Sequence, residues 1–69
     1  MTRYLAVFPG GTPITLEGST LTAAHADLAD RCQAAGYRTA GLISTATGGH
    51  TEITRGDRQF GVTIQKEKK

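Results

Sequence analysis

The stretch Ser19-Thr20-Leu21-Thr22-Ala23-Ala24-His25-Ala26-Asp27-Leu28-Ala29-Asp30-Arg31-Cys32-Gln33-Ala34-Ala35-Gly36 decides the fold. Leu21, Ala24, Leu28, Cys32 and Ala35 recur at spacings of three and four, which lays one apolar stripe along a helix. Ser19 or Thr20 can cap its start, because a side-chain oxygen there accepts from a free backbone N–H. Gly36 stands where the chain must leave in a left-handed conformation, which costs glycine least. A helix of about sixteen residues is roughly 24 Å long, enough to lie across a small sheet.

Working outward, the flanks read as short strands and tight turns. Thr2 to Phe8 carries apolar groups on both faces, which suits a central strand or one covered on both sides. Pro9-Gly10-Gly11-Thr12-Pro13 is a turn, and Ile14 to Glu17 a second short strand expected to pair with the first as a hairpin. After the helix, Tyr37 to Thr45 reads as one continuous third strand, Thr47-Gly48-Gly49-His50 as a turn, and Thr51 to Arg55 as a fourth strand. Gly56-Asp57 suits a two-residue hairpin turn. Arg58 to Gln65 is the clearest strand, with Phe60, Val62 and Ile64 alternating against Gln59, Gly61, Thr63 and Gln65. The expected fold class is α+β, in the order ββαβββ: one helix on a small antiparallel sheet of about five strands. Residues 1–65 form that single domain, and 66–69 a charged, frayed tail. The expected core is Leu5, Val7, Ile14, Leu16, Leu21, Leu28, Ile43, Ile53, Phe60, Val62 and Ile64.

Size limits what such a domain can do. A chain of 69 residues buries only about 60 % of the surface its unfolded form exposes. Ligand pockets usually occupy about 300–1,000 Å³, which a domain this small would struggle to enclose. Cys32 is the single cysteine, so no internal disulfide forms, which favours a reducing, cytoplasmic setting. The longest apolar run, Leu5 to Phe8, is far too short for a membrane span or a leader, so no membrane association is expected. Eight Lys and Arg face six Asp and Glu, but Lys66-Glu67-Lys68-Lys69 holds three of the positive charges. The body is nearly neutral, whereas a dedicated nucleic-acid domain shows a denser basic face.

Each candidate for chemistry has a plainer structural reading. Cys32 lies on the apolar stripe in the last helical turn, where the helix dipole disfavours a thiolate, so a packed thiol is expected. His25 and His50 have no partner at ligand-like spacing, so neither a metal site nor a catalytic pair is expected, and no cofactor is implied. The loops Pro9-Gly10-Gly11-Thr12 and Thr47-Gly48-Gly49-His50 do not run from a strand into a helix as phosphate-binding loops do. Arg55-Gly56-Asp57 spells an adhesion tripeptide but reads as a charged hairpin turn. The arginines are the strongest positions, since a guanidinium makes two parallel hydrogen bonds to a carboxylate or phosphate. Arg38, Arg55 and Arg58, with Gln59 and Thr63 beside them, form the expected partner-binding patch. Thr51 and Gln65 extend that polar face, and an open sheet edge could accept a strand from another chain.

The segment Leu16-Glu17-Gly18-Ser19-Thr20-Leu21, followed by Ala24 and a run of small helical residues, resembles the strand-to-helix junction of phage-encoded type I anti-CRISPR inhibitors. The resemblance covers about fifteen residues and the order of elements. It implies one helix against a five-stranded antiparallel sheet, no enzymatic site, and binding to a surveillance complex that blocks its access to DNA. No individual contact residue carries over. The expected function is therefore that of a non-enzymatic interaction protein acting on a host protein complex, as a monomer or homodimer. A nucleic-acid-binding module using arginine–phosphate contacts, an enzyme or enzyme subunit, and an oligomerising structural subunit are the alternatives.

Overall fold

The computed structural model describes residues 3–46 and 48–67. Among them the chain forms β1 (Tyr4–Val7), β2 (Ile14–Leu16), α1 (Leu21–Ala34), β3 (Arg38–Thr39), β4 (Ile43–Thr45), β5 (Gly48–Arg55) and β6 (Arg58–Lys66). The strands make one antiparallel sheet in the order β2-β1-β6-β5-β3, with β4 also pairing with β5. This is a small α+β fold with one helix on one sheet face, as expected.

Both helix ends carry the predicted chemistry. Thr20 is extended (φ −131°, ψ 163°) and its hydroxyl accepts from the Ala23 N–H at 3.1 Å. At the other end Gly36 (φ 87°) donates to the Gln33 carbonyl and Tyr37 to the Cys32 carbonyl, at 3.0 and 2.8 Å. These two bonds make a Schellman cap, which satisfies carbonyls the helix would leave orphaned. Asp27 ties the helix to the end of β2: its carboxylate accepts from the Glu17 N–H and from Arg31 Nε, both at 3.0 Å.

The core lies between α1 and one sheet face. Ala24, Leu28 and Cys32 from the helix meet Tyr4, Ala6, Leu16, Ile53, Val62 and Ile64 from the sheet. Leu21 and Phe60 are only partly buried beside them. Four expected core positions fall elsewhere. In β1 the inward residues are Tyr4 and Ala6, so Leu5 and Val7 point to the opposite face, which no element among the described residues covers. Ile14, on the edge strand β2, is 40 % exposed.

Ile43 is 61 % exposed, and the cause is a bulge. The expected single strand over 37–45 is broken into β3 and β4. Thr39 pairs with Ile53 and Ile43 with His50, so the edge advances four residues while β5 advances three. One extra residue exchanges the faces of everything beyond it. The bulge is anchored at the Ala40 carbonyl, which accepts from the buried Thr51 hydroxyl at 2.9 Å and from His25 Nε2 at 3.0 Å. A carbonyl only accepts, so His25 Nε2 carries a hydrogen. Leu42, not Ile43, turns inward, and with Leu21 it fills the space above Gly49, where any Cβ would collide with it.

That packing also explains why β5 begins at Gly48 and not Thr51. Gly48, Gly49 and His50, read as part of a turn, continue the ladder opposite Gln65, Ile64 and Thr63 of the long β6. Thr47 lies outside the described residues. At the C-terminus Lys66 pairs with Tyr4, and the Glu67 N–H donates to the Arg3 carbonyl at 2.8 Å. Lys68 and Lys69, also expected in the tail, lie outside the described residues.

Leu28→Ala should cost about 2–5 kcal/mol, since it empties the centre of the helix–sheet contact. Thr51→Val, which keeps the shape and removes the hydroxyl, should cost about 1 kcal/mol. Urea unfolding followed by circular dichroism measures both. The Glu17 N–H, the largest influence, holds the Asp27 carboxyl below its usual range; burial opposes it, and the Arg31 guanidinium adds to the lowering. A depressed folded pKa gives stability that is present above the unfolded value, about 4, and is lost as pH falls through the folded one. The urea midpoint should therefore drop below about pH 4, and Asp27→Asn should flatten that drop.

Candidate functional site

The register sorts every candidate residue onto one of two faces. On the uncovered face, cross-strand neighbours form ranks. Val7, Thr63, His50 and Ile43 make one rank across β1, β6, β5 and β4. Gln59, Thr54 and Arg38 make another across β6, β5 and β3. Leu5 and Gln65 sit beside the first rank. The His50 ring lies over Gly61 on the adjoining strand, where a Cβ would stand 3.1 Å from its Cε1. Glu52, on the same face, accepts a hydrogen bond from the Gln59 amide.

Of the expected patch, Arg38, Gln59 and Thr63 thus share the uncovered face. Arg55 and Arg58 pair across the β5–β6 hairpin as expected, but on the helix side, where the Arg55 guanidinium stands 5.6 Å from the centre of the Tyr37 ring. Strand alternation separates the two groups: Thr54 and Gln59 face one way, Arg55 and Arg58 the other. Thr51 does not join the polar face, because it lies opposite Val62 in the core and donates to the bulge.

Three residues were missed by sequence reasoning because they were assigned to the core or to a turn: Val7, Ile43 and His50. The signal for Val7 was present, in the apolar character of both faces of β1. Nothing local marks Ile43, whose direction depends on the bulge.

His25, His50 and Cys32 do not converge. His25 bonds the Ala40 carbonyl on the helix side, His50 lies on the uncovered face, and Cys32 is in the core near the far end of α1. Among the described residues no three His, Cys, Asp or Glu side chains are grouped to hold a metal ion, and no helix is long and apolar enough to cross a membrane. Burial pushes the Cys32 thiol up, with the neighbouring Thr39 hydroxyl pulling weakly the other way. Among the described residues Thr39 Oγ1 is buried without a hydrogen-bond partner. No protein-family model matches the chain, and neither a curated protein nor a solved structure matches it.

Native Cys32 should react with a small aromatic disulfide reagent at pH 8 about tenfold or more slowly than the same chain in urea, because reaction needs an exposed thiolate. Equal rates in the two conditions, read by absorbance, would place the thiol outside the core.

Proposed function

We propose that this chain is a non-enzymatic interaction protein that docks the uncovered face of its sheet against a protein partner. The observation that carries the reading is the rank Val7–Thr63–His50–Ile43, apolar at both ends and polar between, with Ile43 exposed on a sheet edge. Leu5 widens the apolar part, and Arg38, Thr54 and Gln59 border it. Exposed apolar side chains set among hydrogen-bonding and arginine groups are what a protein partner can bury and pair with.

The distribution of aromatic groups favours protein over nucleic acid. Single-strand binders stack bases on aromatic rings displayed on a sheet face. Here Tyr4, Phe8, Tyr37 and Phe60 all pack with the core on the helix side. Of the arginines in the expected patch, only Arg38 lies on the uncovered face. The narrower reading is a phage or mobile-element inhibitor acting in the cytoplasm on a type I surveillance complex. It is supported by the resemblance of the Leu16–Leu21 junction, and the target complex, mixed with the purified chain, should lose its capture of target DNA.

The general proposal is tested by pull-down from nuclease-treated bacterial lysate with three immobilised forms of the chain. A discrete complex should be retained by the unmodified chain and by Arg55→Glu/Arg58→Glu. It should be lost, by about tenfold or more, with Arg38→Glu/Ile43→Asp. Loss only with the hairpin-tip pair would move the contact to the helix side. Capture that disappears on nuclease treatment would make the chain a nucleic-acid binder, whose affinity should fall steeply with salt.

A further inference from the structure

Between the C-terminal half of α1 and the sheet lies an open hollow of about 310 Å³. Phe8, Ile14, Leu28, Cys32, Ile53 and Phe60 are among the residues that line it, and its surface is almost wholly apolar. The charged group at its edge, Arg31, is already held by Asp27 at 3.0 Å. The expectation that so small a domain would struggle to enclose a ligand cavity holds for enclosure, since this hollow is open. Its volume nevertheless reaches the lower end of the ligand-pocket range, about 300–1,000 Å³.

Tyr37 and Phe60, packed edge to face with centroids 6.3 Å apart, are a wall shared with a second hollow. Arg55, Gly56, Asp57 and Arg58 rim that one. Two guanidiniums directly opposite each other across a hairpin repel, so the pair opposes the stability of the turn that holds it. Asp57, in the turn itself, offsets one charge at most. Among the described residues the single ion pair is Arg31 with Asp27, so neither Arg55 nor Arg58 is paired with a carboxylate.

We propose that the two hollows form one binding site for a small amphipathic carboxylate, its aliphatic or aryl tail in the apolar hollow and its carboxylate at Arg55 and Arg58. The apolar lining selects the tail, because burying it removes hydrocarbon surface from water. The guanidiniums select the head, because their planar forks match a carboxylate and a bound anion relieves their mutual repulsion. The Tyr37 ring holds the Arg55 guanidinium beside the shared wall. This site lies on the opposite side of the sheet from the proposed protein contact, so either can fail alone.

The probe is sodium octanoate, titrated into the isotopically labelled full chain and followed by NMR, with octanol as the uncharged counterpart. Octanoate should give saturable shifts at the Cys32, Ala35, Tyr37 and Phe60 amides, and bind about tenfold more tightly than octanol. Arg55→Ala/Arg58→Ala should lower octanoate affinity to that of octanol and leave octanol binding unchanged. Ala35→Leu, which projects into the apolar hollow, should abolish binding of both. Should a variant lose its dispersed spectrum, the comparison of octanoate with octanol on the unmodified chain decides. Octanol binding as tightly as octanoate overturns the proposal, as does an absence of saturable shifts at those amides. A peptide carrying a leucine followed by a glutamate that saturates the hollow where octanoate does not would also overturn it, and would assign the hollow to a protein partner.

Discussion

One helix can cover only one face of a sheet, and the described residues form one helix. That constraint sets the character of every strand. The covered face takes the buried apolar residues, Tyr4, Ala6, Leu16, Ile53, Val62 and Ile64, and the helix supplies Ala24, Leu28 and Cys32. Two of those three helix residues are small, so Leu28 is the one large side chain the helix buries completely. The other face receives whatever the alternation leaves. In β5 and β6 that is mainly Thr, Gln, Gly, Glu and His, but in β1 it is Leu5 and Val7. A surface that is apolar at one side and polar across the middle follows from sheet geometry acting on an unevenly patterned sequence.

The second determinant is a single carbonyl. Ala40 points its oxygen towards the helix side, where Thr51 and His25 both donate to it. Those two donors compensate the break in the edge ladder. The resulting bulge inserts one residue between β3 and β4, which sends Leu42 inward over Gly49 and Ile43 outward beside His50. Thr51 therefore does more for the uncovered face from inside the core than it could have done from that face. It keeps the register in which Ile43 completes the rank with Val7, Thr63 and His50.

The two surfaces differ in kind. The uncovered face is broad and bears few charges, so shape and hydrogen bonding dominate its recognition. The helix-side hollows are concave, and their charge is concentrated in two opposed arginines at the tip of the β5–β6 hairpin. Strand alternation is what holds the two apart: moving one residue along either strand moves the side chain to the other side of the sheet. Arg38 and Arg55 come from strands that both lie at one end of the sheet, yet they serve different surfaces for this reason.

By itself the sequence determined the elements whose signals are local. The stripe from Leu21 to Ala35 with Thr20 and Gly36 at its ends specified the helix. The alternation of Phe60, Val62 and Ile64 specified β6, and Gly56-Asp57 the turn that joins it to β5. The pairing of Arg55 with Arg58 followed from that turn. What only the tertiary structure decided depends on groups distant in the chain. The Thr51 and His25 donors, reaching across from β5 and α1, set the bulge at Ala40 and thereby the direction of Ile43. The strand order placed β1 between β2 and β6 and left Leu5 and Val7 on the uncovered face. The division of the arginines between two surfaces required the register of β3 against β5. A strand's own residues specify its alternation, but which half of that alternation meets the helix is a property of its neighbours, and one inserted residue reverses it.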